Sequence, residues 1–153
     1  MTPEEALDHH GLTLPIVAGA VVGTWSSTVR AGSLLFVAGH GPFIDGKIVH
    51  AGRLGAELSV DAGRKAAEVT TLNILGTLKA ELGELSRIAR FVKLVVFVNA
   101  TPAFSDHALV AYGATDLLVN VFGDIGRPAL SEVGVASLPF NGAVEIDAVV
   151  EIR

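Results

Sequence analysis

The sequence predicts an α+β domain in which one mixed β-sheet carries two long helices on a single face. Three observations predict it. β-rich runs separated by turn signals fill residues 22–50, the hydrophobic period becomes helical over 59–83, and two further strand-like stretches flank a second helical one. The order is hairpin, helix, strand, helix, strand pair, which buries one sheet face under helices. The other face then needs a partner chain or a second sheet, and self-association is expected.

The first dozen residues read as a short helix, with Thr2 as cap, Pro3 in the first turn, Glu5 completing a capping box and Gly11 ending it. Strands are expected near 22–29, 34–38 and 47–50, punctuated by "AGS" at 31–33 and "DG" at 45–46. From Ser59 to Gly83, Ala66, Val69, Asn73, Gly76 and Ala80 share one side, and Leu72, Leu75, Leu78 and Leu82 add an apolar flank. This is the spacing of a long helix lying on a sheet. Residues 88–98 are mostly apolar and rich in Val and Phe, as a central strand is. A second long helix starts after Pro102 and runs to Phe122, stopped by Gly123. Its Gly113 costs about 1 kcal/mol relative to Ala and so marks close packing. Strands near 131–137 and 143–152 end the chain.

The 153 residues fit a single domain, 1–153, with residues 1–13 as an N-terminal extension. Half the residues are hydrophobic and 18% are charged, the balance of a packed domain with apolar surface left for copies of itself. A net charge of −5 with no basic run disfavours nucleic acid. No cysteine is present, which removes disulfides, thiolate metal sites and a cysteine nucleophile. The stretch "MTPEEALDHHGLTLPIVAGAVVG" starts acidic and is broken by Pro15 and glycines; it reads as neither signal peptide nor membrane span, and a cytoplasmic protein with no membrane partner is expected. His9 and His10 are adjacent, His50 and His107 are isolated, and HExxH, GxGxxG and Walker patterns are absent. Neither metal nor cofactor is expected. Ser26 and Ser27 lack His and Asp partners at motif spacing.

Six segments together, "RAGSLLFVAGHGP", "LNILGTLKAELG" with "ARFVKLVVFVNATPAF", "GATDLLVNVFG", "GRPALSEVGVASLP" and "AVEIDAVVEI", resemble the RidA (YjgF-like) family, formerly called endoribonuclease L-PSP. The resemblance spans residues 14–153, closest to a subgroup with a longer N-terminus. It implies a chorismate-mutase-like fold, a homotrimer with clefts between subunits, and hydrolysis of imines and enamines such as 2-aminoacrylate. By the same resemblance the family's cleft aromatic falls on Trp25, and the glycine of its "SGQ" segment on Gly39. A helix asparagine falls near Tyr112, the carboxylate-gripping arginine on Leu130, a frequent cysteine on Glu132, and the water-positioning acid on Glu145. Of these only Gly39 and Glu145 are unchanged.

Each position also has a plainer reading. Leu130 replaces a bidentate guanidinium and removes both its charge and its donors, or it is a packing residue in a strand. Arg127, three residues earlier, either swings in from its loop as a substitute cation or pairs locally with Asp124. His40, between glycines at a strand end, is a polar ligand contact or a satisfied edge histidine. Glu145 and Asp147 share one face of their strand, opposite Val144, Ile146, Ala148 and Val150. A half-enclosed Glu145 would have a raised pKa and could move a proton to or from water. Were Glu132 to face the same cavity, the two would share a proton or hold a cation. Trp25 and Tyr112, each the only one of its kind, stack on a planar ligand or seal an interface. Two functions stay open: a RidA-like trimer hydrolysing a small metabolite, with little activity on 2-aminoacrylate, and a binding or regulatory protein without turnover.

Overall fold

A computed structural model of the chain describes residues 1–17 and 21–153; residues 18–20, inside the stretch read above as neither leader nor span, lie outside the described residues. Helix α1 is Pro3–His9. Its capping box forms as the sequence predicts, with Thr2 Oγ1 accepting from the Glu5 amide at 3.1 Å and the Glu5 carboxylate from the Thr2 amide at 2.7 Å. Ala6 and Leu7 enter the core. The expected strand 22–29 is broken into β1 Val21–Val22, β2 Trp25–Ser26 and β3 Thr28–Ala31, because Gly23 at φ 57° turns the chain between the first two. Next come β4 Leu34–His40 and, in place of the expected strand 47–50, a small hairpin of β5 Phe43–Ile44 and β6 Lys47–Ile48. Asp45 and Gly46 both have positive φ at its tip, which is what an "Asp-Gly" hairpin turn requires.

Helix α2 is Val60–Leu82, capped by the Ser59 hydroxyl and ended at Gly83. Of the positions expected on its inner side, Ala66, Leu75, Gly76, Leu78 and Leu82 are buried, whereas Val69, Leu72 and Asn73 are half-buried and Ala80 is exposed; Gly63, Ala67, Thr70, Thr71, Ile74 and Thr77 complete the buried side. Strand β7 is Ile88–Asn99 and α3 is His107–Phe122, starting five residues after Pro102. Strands β8 Ala129–Val135 and β9 Val144–Ile152 complete the chain. The α3 segment 107–126 is long and apolar enough to cross a membrane by length and composition, but its buried face packs in the core beside α2 and the sheet. The expected close approach at Gly113 is real: a Cβ there would run into the backbone carbonyl of Arg64 on α2.

The main sheet has the order β3-β4-β9-β7-β8, with β7 and β8 parallel and every other pair antiparallel. This is the mixed sheet with both long helices on one face. One register row on the helix side reads Thr28, Val37, Ala148, Leu94, Leu130. Its first four members are buried and the fifth packs against the core. The opposite face carries Val29, Phe36, Val149, Val95, Phe97 and Val133 among Glu145, Asp147 and Lys93, and Val29, Phe36 and Val133 are exposed.

Candidate functional site

A bulge decides how the candidate residues divide. Val37 pairs with Ala148 and His40 with Ile146, so β4 spends three residues where β9 spends two. Regular pairing would set His40 opposite Glu145 on the same face. The extra residue instead turns His40 to the helix side, since a one-residue shift reverses the direction of every following side chain. The expectation that His40 and Glu145 converge on one site is therefore corrected: they lie on opposite faces.

His40 is fully engaged on its side. Its Nδ1 lies 2.6 Å from the Ala38 carbonyl and its Nε2 2.8 Å from Thr77 Oγ1. A carbonyl only accepts, so Nδ1 carries the proton and Nε2 accepts from the threonine. Burial holds the imidazole below its usual pKa, against the opposing bond to Ala38, in keeping with one neutral tautomer.

Glu145 lies on the open face, with its carboxyl laid over Gly39. A Cβ on Gly39 would come within 2.9 Å of Glu145 Cδ and 3.1 Å of Oε2, so glycine is what admits the carboxyl here. Burial first, and the charge of Asp147 second, push Glu145 above the ordinary carboxylate range; burial raises Asp147 too. A half-buried acid of this kind exchanges a proton with water nearer neutrality than a free glutamate does.

Leu130 and Glu132 point to the helix side from β8, at the far edge of the sheet. The row His40, Ile146, Val96, Glu132 spans three strand spacings, so His40 and Glu132 are ~14 Å apart. Glu132 and Glu145 of one chain face opposite ways, so the condition for a shared proton or cation is not met between them. Arg127 does not reach toward Leu130: its Nε donates to Asp124 Oδ1 at 3.2 Å and its side chain is 66% exposed. Lys93, the register partner of Ala129, donates to Ser131 Oγ at 2.7 Å on the open face, so it does not stand in for an arginine at Leu130 either. Tyr112 is 42% exposed on α3.

Trp25, Gly39 and His40 do come together, around a cavity of about 820 Å³ that Glu145 does not line. Its other walls are Thr13–Val17, the β5–β6 hairpin, and Val69, Leu72, Asn73 and Thr77 of α2. The sequence reading missed this cavity; the signal was Asn73 and Thr77, two polar residues one turn apart in the otherwise apolar run of residues 72–78. It missed also Asn99, whose amide ties the Gly52 and Gly142 carbonyls together. Among the described residues no three of His, Asp and Glu gather in a metal-ligating cluster.

Residues 4–151 match the family described as "YjgF/chorismate mutase-like, putative endoribonuclease". The chain belongs to the YjgF/RidA family. It is 44% identical to protein TCP17 of Trypanosoma cruzi over 96% of this chain and 92% of that one. The crystal structure of Atu1372 from Agrobacterium tumefaciens, a protein of unknown function, is similar at a TM-score of 0.92 and 43% identity, covering 99% and 92% of the two chains. RidA from an Antarctic Psychrobacter is more distant, with a TM-score of 0.60 and 27% identity over 88% and 94%. The chorismate-mutase-like fold is thereby established for this chain.

Proposed function

We propose that the protein acts in the cytoplasm as a homotrimer whose clefts, between subunits, bind a small metabolite. Each cleft joins Trp25, Gly39 and Glu145 of one copy to the β8 edge, with Leu130 and Glu132, of another. The observation that carries this reading is that Glu145, on the middle strand, faces the open side of the sheet while Leu130 and Glu132, on the edge strand β8, face the helix side, so that a site containing both sets needs two chains. Exposed apolar residues on the open sheet face, Val29, Phe36 and Val133, support self-association.

In that cleft Glu145 holds or activates water, Gly39 orients the ligand by its backbone, and Trp25 forms a wall. The chemistry is a divergent imine or enamine hydrolysis (a deaminase reaction), weak or absent on 2-aminoacrylate. A carboxylate held by a guanidinium fork gains about 1.5–3 kcal/mol per charged hydrogen bond. Leu130 supplies none of it, and its packing against the core explains why an apolar residue is tolerated there. The second reading, a binding or regulatory protein without turnover, is favoured by that same lost anchor.

The test is hydrolysis of 2-aminoacrylate by wild type and by Leu130→Arg. Wild-type turnover near the buffer rate is expected, and the arginine is expected to raise it at least tenfold, equivalent to about 1.4 kcal/mol. Rapid wild-type turnover would contradict the reading. Failure of the folded Leu130→Arg protein to gain activity would favour the non-catalytic one.

A further inference from the structure

The N-terminal arm, residues 1–17, is fastened at three places onto the helical layer. Glu4 Oε1 accepts from Lys79 Nζ at 2.7 Å and from the Leu85 amide at 2.9 Å. Burial works to raise the Glu4 pKa, yet these two bonds offset it and hold the carboxyl below its usual range. Ala6 and Leu7 fill core positions. Pro15 sits on Gly76 of α2, where a Cβ would meet the proline carbonyl oxygen and Cγ, each at 2.9 Å. Beyond that fastening, Pro15, Ile16 and Val17 wall the cavity described above.

The cavity has a definite chemical character. Among its described lining residues none is Lys or Arg, and the segment 18–22 contains neither. Asp45, exposed at the hairpin tip, is its one carboxylate. The Asn73 amide nitrogen donates to both the Gly41 and Phe43 carbonyls at 2.9 Å, which fixes the orientation of the side chain and leaves Oδ1 as its acceptor. His40 is committed to Ala38 and Thr77 and offers no donor. Leu72, Val69, Phe43 and the indole of Trp25 supply apolar surface. Such a lining offers neutral polar groups and the Asn73 acceptor but no cation, and it disfavours anions, because a carboxylate or sulfonate brought in loses hydration and finds no opposite charge.

We propose that this arm-walled cavity, which shares Trp25 and Gly39 with the proposed cleft and so rests on that reading, takes an uncharged aromatic molecule bearing an N–H donor, with the arm as its selectivity wall. The donor bonds Asn73 Oδ1 while the ring lies against Leu72 and Trp25. A carboxylated metabolite is excluded.

Two fluorescent probes with the same aromatic body test this: neutral N-phenyl-1-naphthylamine and anionic 8-anilino-1-naphthalenesulfonate. Each is titrated into the full-length protein, with energy transfer from Trp25, the sole tryptophan, reporting position. The neutral probe is expected to bind with transfer, and the anionic one at least about tenfold more weakly. Gly76→Val, whose side chain displaces Pro15, is expected to weaken the neutral probe about tenfold with an unchanged circular dichroism spectrum. Ile16→Lys, at a fully exposed position that cannot disturb the core, is expected to narrow the gap by strengthening the anionic probe. Equal affinity of wild type for both probes overturns the charge selectivity. Wild-type behaviour of both variants overturns the role of the arm. Absence of neutral-probe binding overturns the site, and leaves the cleft to be judged by its own hydrolysis assay.

Discussion

Replacing Gly39 by alanine separates the two things glycine does at the bulge, relaxing the backbone and admitting the Glu145 carboxyl. The new Cβ would stand 2.9 Å from Glu145 Cδ and 3.1 Å from Oε2, whereas relaxed contacts are about 3.5–4.0 Å. The carboxyl must therefore retreat by ~0.5–1 Å. It can do so, because Glu145 is only half-buried on the open face. Exchanging glycine for alanine in a strand returns about 0.5–1 kcal/mol of chain entropy. The net change in stability is thus expected within about 1 kcal/mol, a melting shift of no more than ~4 °C for a chain of this size. The Glu145 midpoint is expected to move down, toward an ordinary carboxylate, as the group gains water. Carbon-13 titration of the Glu145 carboxyl beside a thermal melt reads both quantities. An unchanged midpoint, or a loss above about 3 kcal/mol, would refute the view that Gly39 is small so that Glu145 can lie over it.

Two further substitutions test the packing and electrostatics behind the site. Gly113→Ala forces a methyl group into the Arg64 carbonyl of α2; overpacking of about 1–3 kcal/mol outweighs about 1 kcal/mol of helix propensity, so urea denaturation should show a net loss. A stabilised Gly113→Ala would mean that α2 and α3 part freely. Asp147 and Glu145 have folded pKa values raised by burial, so their protonated forms suit the fold. Their contribution is complete below the unfolded carboxylate pKa of about 4 and is lost as pH rises through the raised folded values. Asp147→Asn should accordingly melt above wild type at pH 7, with the gap closing toward pH 3; a gap independent of pH would contradict the assignment.

What the sequence disclosed was whatever depended on neighbours along the chain. The Thr2 and Glu5 box, the Asp45-Gly46 turn and the alternation of β9 involve contacts within a few residues, and each is found where the pattern places it. Gly113 was also readable, because a glycine inside a good helix carries a propensity cost that packing must offset. The β4 bulge was not read, although Gly39, a glycine inside a strand, is a signal for one; that extra step alone puts His40 and Glu145 on different faces. The cavity escaped because its walls meet over long sequence distances, Pro15 on Gly76 and Asn73 on Gly41. Leu130 was legible as an apolar substitution at a strand start; its place at the end of a row through Leu94 and Ala148 needed the sheet order.

The central claim is that the cleft is built between copies, since Glu145 lies on the open face of the middle strand and Leu130 and Glu132 on the helix face of the edge strand β8. The most direct measurement is the molar mass of the purified protein in solution by light scattering coupled to gel filtration. The account predicts three chains of 15.8 kDa moving together. A stable monomer at working concentrations would contradict it.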